Sequence, residues 1–250
     1  MELRYVIGMD TEHQAPHASA PKRPIYVVAA HPNWRDSRVN RRLLQAARAA
    51  DTATVCDLYA RYPDYSIAVP TEQARLQDAQ LVVLLHPVQW YSMPALLKLW
   101  LDDVLAHGWA YGGGHALQGK DLWLVATTGG PEDSYHPQGY NRYFFDAFMP
   151  PYEQTASLCG MRFLPPMVLH GAHSVDAAEV DAHVAMFSQR LASYPQWPEL
   201  DDMESCIACV VPDTDRPTHT DLSVAGPPQD ARAPSGGSAA HGVVSVGVNL

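Results

Sequence analysis

The sequence predicts a three-layer α/β domain in which helices cover both faces of a parallel sheet. Strand-like and helix-like segments alternate along most of the chain, as in sheets whose parallel strands are joined by right-handed helical crossovers. The strongest strand-like segment, QLVVLL at 80–85, has consecutive apolar residues. This pattern indicates a strand that is buried on both faces. Together these observations favour a doubly wound sheet of five strands.

Five strands and five helices are predicted in order. The strands are 25–30, 53–58, 80–85, 122–127 and 162–169, and the helices are 37–50, 71–79, 94–107, 140–159 and 176–194. Ser37 is a natural N-cap for the first helix, and Pro94 suits the first turn of the third. Two proline pairs disturb later elements. Pro150-Pro151 should interrupt the fourth helix early, and Pro165-Pro166 should make the fifth strand an edge or irregular strand.

Composition divides the chain into three parts. The whole chain is 47% hydrophobic and 18% charged, which is ordinary for a globular protein. The last fifty residues are acidic and rich in Pro, Gly and Ser, so they bury too little apolar surface to offset the entropy of ordering. We therefore expect a disordered extension at 1–23, a folded domain at 24–199 and a mostly disordered tail at 200–250.

Several classes of protein are disfavoured. The formal net charge of -10 argues against binding to nucleic acid. The sequence has neither a run of roughly 18 apolar residues that could span a bilayer nor a recognisable secretory signal at its N-terminus. Four cysteines are too few for a disulfide scaffold. We expect a cytoplasmic protein.

Two pairs of potential metal ligands carry little weight. Cys206-x-x-Cys209 could be a redox pair or half of a zinc site, but the tail adds only His219 and His241, at irregular spacing. The pair His170-x-x-His173 is more simply structural or solvated. We expect no metal site.

Ligands of such sheets bind beyond the carboxyl ends of the strands, so we expect function in the turns after Ala30, Leu85 and Thr127. The first turn places Ser37 and successive backbone N–H groups at a helix N-terminus, which suits a phosphate. Arg35 and Arg38 could add positive charge there. A capped helix with solvated arginines is the alternative interpretation.

The second and third turns could hold a flat ring. Trp90 and Tyr91 follow the second of these strands, and at least one should reach the crevice unless both pack in the core. Gly129-Gly130 let backbone N–H groups approach a ligand closely, although a plain Gly-Gly turn is the alternative. A phosphate cradle, an aromatic wall and amide donors at one sheet edge suit flavin mononucleotide (FMN) better than other common ligands.

Particular motifs extend this interpretation to a family. His31-Pro32, Ser37-x-x-Asn40, the run HPVQWYSMPALLKLWLDDVLAHGWAYG at 86–112 and TTGG at 127–130 resemble the flavodoxin-like NAD(P)H:quinone oxidoreductases. The nearest branch is that of the ancillary proteins of glutathione-regulated potassium-efflux systems. The resemblance implies a flavodoxin-like sheet of order 2-1-3-4-5 and a homodimer with FMN or FAD at the subunit interface. The implied flavin contacts are His31, Ser37, Arg38, Val39, Asn40, Val88, Gln89, Trp90, Tyr91, Thr127, Thr128, Gly129 and Gly130.

The resemblance also implies a reaction. NAD(P)H would reduce the flavin by hydride transfer and leave, and a quinone would take its place and accept two electrons. Mammalian relatives carry a Tyr five residues after the last motif glycine and a His six residues further on. Tyr135 matches the first position, but Asn141 occupies the second and cannot hold a mobile proton near neutral pH. Tyr135 and the nearby His136 are the catalytic candidates.

Two other functions remain open. The chain could be a regulatory subunit that activates a glutathione-gated potassium/proton antiporter by binding, which would place it on the inner face of the cell membrane. It could also be a flavodoxin-like electron carrier, although such carriers usually leave no room for a nicotinamide over the flavin.

Overall fold

The computed structural model of this chain describes residues 25–203. The expected extension at 1–23 and the tail beyond 203, with Cys206 and Cys209, lie outside the described residues. Among the helices within residues 25–203, none combines the length and the apolar composition that a membrane span requires.

A five-stranded sheet forms the centre of the domain. The strands are β1 (Ile25–Ala29), β2 (Ala53–Asp57), β3 (Leu81–Pro87), β4 (Asp121–Thr127) and β5 (Arg162–Leu169). Every adjacent pair is parallel, and the strand order is β2-β1-β3-β4-β5. The predicted flavodoxin-like architecture is confirmed.

Helices cover both faces of the sheet. They are α1 (Asn40–Ala49), α2 (Leu58–Arg61), α3 (Val69–Asp78), α4 (Ala95–Val104), α5 (Pro150–Leu158) and α6 (Ala177–Ser193). Because successive strand residues point to opposite faces, Val27 packs in one apolar core with α1 and α6. Val28 packs in the other, with residues of α2 to α5. Both faces are therefore dry, which accounts for the continuous apolar runs in β1, β3 and β4.

The helix predicted at 140–159 corresponds to α5 and differs from its prediction. It begins at Pro150, not near residue 140, and the preceding residues form turns and a short 3-10 helix at Phe145–Phe148. Pro150 and Pro151 occupy the first turn, where a missing N–H removes no hydrogen bond. The proline pair therefore starts this helix instead of interrupting it.

The first helix also begins later than expected. It starts at Asn40, and Val39 at its N-cap provides no side-chain hydrogen bond. Ser37 still contributes, since its Oγ accepts a hydrogen bond of 3.2 Å from the Arg41 amide. Residues 37–39 thus form a non-helical segment before α1, and the first backbone N–H groups at this end have no intrahelical partner.

The fifth strand is irregular at an edge, as its prolines predict. β5 is the last strand in the sheet order, and its register with β4 shifts between Trp123 and Val125. The Trp123 indole N–H donates to the Pro165 carbonyl at 3.1 Å. The prolines lie where the missing N–H groups interrupt only one ladder.

Candidate functional site

A cavity of about 280 Å³ opens at the carboxyl edge of the sheet. The segments that follow β1, β3, β4 and β5 all contribute to its wall. The lining residues are His31, Asp36, Ser37, Arg38, Val39, Asn40, Pro87, Val88, Gln89, Thr127, Thr128, Gly129, Ala172 and His173. Ten of the thirteen flavin contacts implied by the sequence are in this set, and Trp90, Tyr91 and Gly130 are not.

The N-terminus of α1 presents hydrogen-bond donors to the cavity. Within residues 25–203, the backbone N–H groups of Arg38, Val39 and Asn40 make no hydrogen bond. Free N–H groups at a helix start attract anions, and the helix dipole adds to that attraction. Asp36 also lines the cavity, and its carboxylate accepts a hydrogen bond from the Asn33 side chain.

The Asn40 side chain is the strongest sign of a missing ligand. It is only 3% exposed, and its Nδ2 donates to Thr127 Oγ1 at 2.7 Å. Its Oδ1 is buried without a partner, although buried polar atoms are nearly always hydrogen-bonded. Exchanging the amide O and N would leave Nδ2 unpartnered instead, because the Thr127 hydroxyl can donate as well as accept. Either orientation leaves one polar atom for a ligand.

His31 contributes a neutral ring to the wall. Burial lowers the pKa of His31 below its usual value, and the carboxylates of Asp36 and Asp57 only partly oppose this. Its Nδ1 accepts a hydrogen bond of 3.1 Å from the Asn33 amide, which leaves the proton of the neutral ring on Nε2. His31 therefore acts here as a hydrogen-bonding group more than as a cation.

The glycine turn after β4 also offers open amides. In the part of the chain that the structure describes, the N–H groups of Gly129 and Gly130 have no hydrogen-bond partner. The turn is held by Thr128, whose Oγ1 lies 2.8 Å from the Gly130 carbonyl oxygen. A fixed turn with free N–H groups can stabilise negative charge on a ligand.

The aromatic turn after β3 lies beside the cavity. Gln89 and Ser92 exchange backbone hydrogen bonds of 2.9 and 3.1 Å, and this tight closure forces Trp90 and Tyr91 to positive φ. Trp90 is 93% exposed, and Tyr91 stacks on Phe148 at 5.2 Å. Strained backbone of this kind is typical of functional turns. Neither ring is among the lining residues, whereas the sequence led us to expect at least one in the crevice.

The two catalytic candidates lie in different environments. Tyr135 is buried against Phe145 and His170, with ring centroids 5.3 Å away in both cases. Burial raises the pKa of Tyr135, and its interaction with Thr128 opposes the rise. His136 is exposed and contacts Phe144. Only Tyr135 is therefore held against a residue of the cavity wall.

A fourth turn, after β5, completes the wall. Ala172 and His173 line the cavity, the Ala172 amide donates to the Thr128 carbonyl at 2.8 Å, and His170 Nδ1 lies 3.0 Å from Thr128 Oγ1. From the sequence we interpreted His170 and His173 as a structural or solvated pair. The signal was available, since β5 ends at the same sheet edge as the other parallel strands.

Comparison with known proteins agrees with the fold. A family model described as a flavodoxin-like fold, Flavodoxin_2, matches residues 23–191. The glutathione-regulated potassium-efflux system ancillary protein KefF of Citrobacter koseri is 43% identical over 69% of this chain and 97% of its own length.

Two solved structures are also similar. General stress protein 14 of Treponema denticola, in complex with FMN, is 33% identical with a TM-score of 0.64, over 68% of this chain and 98% of its own. An NADPH-quinone reductase of P. pentosaceus is 26% identical with a TM-score of 0.62, over 67% and 97%. The resemblance seen in the sequence motifs is confirmed, and the chain belongs to the Flavodoxin_2 family of flavodoxin-like proteins.

Proposed function

We propose that this chain is an FMN-dependent NAD(P)H:quinone oxidoreductase. The observation that carries the proposal is the buried, unpartnered amide atom of Asn40 beside the open N-terminus of α1. A polar ligand with an anionic group would satisfy both features at once. The FMN complex of general stress protein 14 supports this choice of ligand, since that protein is 33% identical.

The lining residues fit the parts of FMN. The N–H groups of Arg38, Val39 and Asn40, with Ser37, would hold the phosphate, and FAD would meet the same donors through its diphosphate. The amides of Gly129 and Gly130 would face the pyrimidine edge of the ring. Val88 and Pro87 supply apolar surface, and Gln89 a side-chain amide. Trp90 and Tyr91, next to the cavity, would approach the ring from its side.

The residues of this chain would then support the chemistry. A flavin held by these residues would supply two-electron transfer from NAD(P)H to a quinone. The amides of Gly129 and Gly130 would stabilise the negative charge that results. Because its pKa is raised, Tyr135 keeps its proton at neutral pH and can donate a hydrogen bond. His136, the other catalytic candidate, would lie at the exposed end of this loop, beside Phe144. Asn141 donates to Ser134 Oγ at 2.8 Å and so holds the loop.

The test is spectroscopic. The purified full-length chain, reconstituted with FMN or FAD, should show the absorption bands of a bound flavin. Anaerobic NADPH or NADH should bleach these bands, and a quinone should restore them. A chain that cannot be reconstituted with either flavin, or a bound flavin that neither nucleotide reduces, would overturn the proposal.

The same proposal includes a homodimer. Large aromatic side chains are exposed near the cavity, namely Trp90, Tyr91, Tyr140, Tyr143 and Phe144. Tyr91 and Tyr143 both contact Phe148. Exposed aromatic surface of this kind often contacts another protein, and a second copy of the chain would cover it and close the site. Analytical ultracentrifugation of the full-length chain should give twice the mass of one chain. A monomer at micromolar concentration would contradict this part.

A second function has its own support. The 43% identical relative is named an ancillary protein of a potassium-efflux system, and the match covers 97% of its length. We therefore also propose that the chain binds a glutathione-gated potassium/proton antiporter at the inner face of the membrane. Potassium efflux from cells that carry such an antiporter should rise when the chain is present. If a flavin-free variant raises efflux as much as the wild type, binding alone activates the antiporter. If neither protein raises efflux, this role is wrong.

A further inference from the structure

Thr128 connects the cavity wall to a histidine behind it. The Thr128 side chain is buried and lines the cavity. Its Oγ1 lies 2.8 Å from the Gly130 carbonyl oxygen and 3.0 Å from His170 Nδ1. A hydroxyl has one proton to donate. Thr128 can therefore donate to Gly130 or to His170, but not fully to both. The Tyr135 hydroxyl, which also interacts with Thr128, carries its own proton and can donate to Oγ1 in either state.

When the neutral ring carries its proton on Nε2, the protonation of His170 decides between these partners. When Nδ1 carries a proton, it donates to Thr128 Oγ1, and the Thr128 proton goes to the Gly130 carbonyl. When Nδ1 is bare, it accepts the Thr128 proton instead. The Gly130 carbonyl also accepts a hydrogen bond of 2.8 Å from the Gly171 amide. It keeps a partner in both states, so neither arrangement leaves a buried polar group unpaired.

We propose that His170 is a positioning residue, whose protonation sets the direction of the Thr128 hydroxyl and thereby the polarity of the cavity wall beside Gly129 and Gly130. Its catalytic consequence rests on the proposed flavin chemistry. Negative charge that develops in the cavity would favour the protonated ring, so His170 would take up a proton as the cavity gains electrons. Asn141 cannot exchange a proton, and His170, which follows β5, would do so in its place.

The surroundings of His170 suit this role. The ring packs beside Tyr135 and meets the edge of Phe145 at 5.0 Å, and the carboxylate of Glu132 acts on it from the turn after β4. Burial lowers the pKa of His170, and Glu132 partly opposes that effect. The ring is therefore mostly neutral at pH 7 and is able to accept a proton when charge arrives.

The first test needs no flavin. In the full-length chain, NMR of labelled histidine should give the pKa of His170 in the wild type, in Thr128→Val and in Thr128→Ser. A hydrogen bond from a charged ring is stronger than one to a neutral ring, so Thr128→Val should lower the pKa and Thr128→Ser should restore it. An unchanged pKa in Thr128→Val would overturn the proposal.

The second test measures the reduction potential of bound FMN against pH. The wild-type plot should change slope near the pKa of His170, His170→Gln should lose that change, and His170→Lys should not regain it at the same pH. His183→Gln is the matched control, because burial also lowers the pKa of His183 but this ring lies in a groove at β5 and α6. A slope change that persists in His170→Gln would refute the proposal. If the wild type binds no flavin, the proposed function fails, and the NMR titration alone decides the coupling.

Discussion

Asn40 illustrates how one side chain can serve a ligand at the expense of the empty protein. Its amide holds Thr127 in place and leaves Oδ1 without a partner. Burying a polar atom unpaired costs roughly 1–3 kcal/mol. A ligand that donates a hydrogen bond to Oδ1 removes this penalty. The free energy recovered in this way adds to the affinity for the ligand.

We predict that Asn40→Ala weakens FMN binding about tenfold, since one hydrogen bond to a buried polar group is worth on the order of 1 kcal/mol or more. The flavin-free variant should lose about 1 kcal/mol of stability, because it gives up the buried hydrogen bond to Thr127 while the unpaired atom leaves with the side chain. Fluorescence titration gives the Kd, and urea unfolding gives the stability. Gln45→Ala removes an exposed amide from the same helix and should leave both unchanged. Equal FMN affinity in Asn40→Ala and wild type would contradict the assignment of Asn40.

His86 makes stability depend on pH. The ring is fully buried, its Nδ1 donates to the Pro87 carbonyl at 2.9 Å, and its Nε2 lies 3.3 Å from the Tyr152 hydroxyl. Burial lowers the pKa of His86 from 6.5 to about 4. Between these values the unfolded chain binds the proton and the folded chain does not, so folding stability falls as pH falls through this window.

We predict that His86 alone removes on the order of 3 kcal/mol of stability as pH falls from about 6.5 to about 4. His86→Gln, which does not titrate, should flatten this part of the curve, measured by urea unfolding at a series of pH values. The absolute stability of the variant is irrelevant to the comparison of slopes. Gln45→Ala, an exposed change that removes no titratable group, should leave the slope as it is. A slope that is the same in His86→Gln would show that other groups cause the loss.

At the scale of elements, one carboxylate joins several parts of the apolar core that contains Val28 and residues of α2 to α5. Glu72 of α3 is fully buried. Its oxygens accept hydrogen bonds from the hydroxyls of Tyr26 and Tyr62, the indole of Trp100 and the guanidinium of Arg75. These donors belong to β1, the end of α2, α4 and α3 itself. The carboxylate therefore fixes α3, which has only a modest apolar face, against its neighbours.

We predict that Glu72→Ala destabilises the fold by about 3–5 kcal/mol, because it leaves Arg75 and three buried donors without their acceptor. Glu72→Gln should lose less stability than Glu72→Ala, because one oxygen remains as an acceptor. It should still lose some, because the new NH₂ group faces other donors. Chemical denaturation measures both. Asp102→Ala is the control, because it removes an exposed partner of Lys98 on α4 and should change stability by less than about 1 kcal/mol. A loss in Glu72→Ala as small as in Asp102→Ala would contradict this role.

The elements also explain which parts of the fold could be predicted. The strands β1, β3 and β4 are buried on both faces, so their apolar runs are visible in the sequence. Crossover rules leave few topologies, and the order 2-1-3-4-5 was implied by the resemblance to the flavodoxin-like family. The start of α5 was not predicted, because a proline pair can interrupt a helix or begin one. The residues before Pro150 form a short 3-10 helix at Phe145–Phe148 instead, which the sequence pattern does not distinguish from a turn of α-helix.

The candidate site was predictable to a similar extent. The turns after β1, β3 and β4 carry residues with evident chemistry, and the structure brings them to one cavity. The contribution of His170 and His173 was missed, because their spacing suits one face of a helix but the segment is not clearly helical. Their role depends instead on the position of β5 beside β4. The outward placement of Trp90 depends on backbone angles of the turn, which composition does not determine.

At the scale of the whole molecule, the ligand is expected to stabilise the domain. The cavity is built from segments of four strands, so a ligand there contacts parts of the chain that separate on unfolding. A ligand at 100 times its Kd adds about 2.7 kcal/mol, and each kcal/mol raises the Tm by roughly 2–4 °C in a chain of this size. We predict that FMN raises the Tm by roughly 5–10 °C.

Riboflavin at the same concentration should raise the Tm much less than FMN, because it lacks the phosphate that the N-terminus of α1 would bind. Thermal unfolding of the full-length chain with each compound measures the difference, and FAD compares the two flavin nucleotides. The advantage of FMN over riboflavin should shrink in high salt, as the phosphate contact is electrostatic. Equal shifts with FMN and riboflavin would remove the phosphate from the start of α1, and with it the main reason for placing a nucleotide in this cavity.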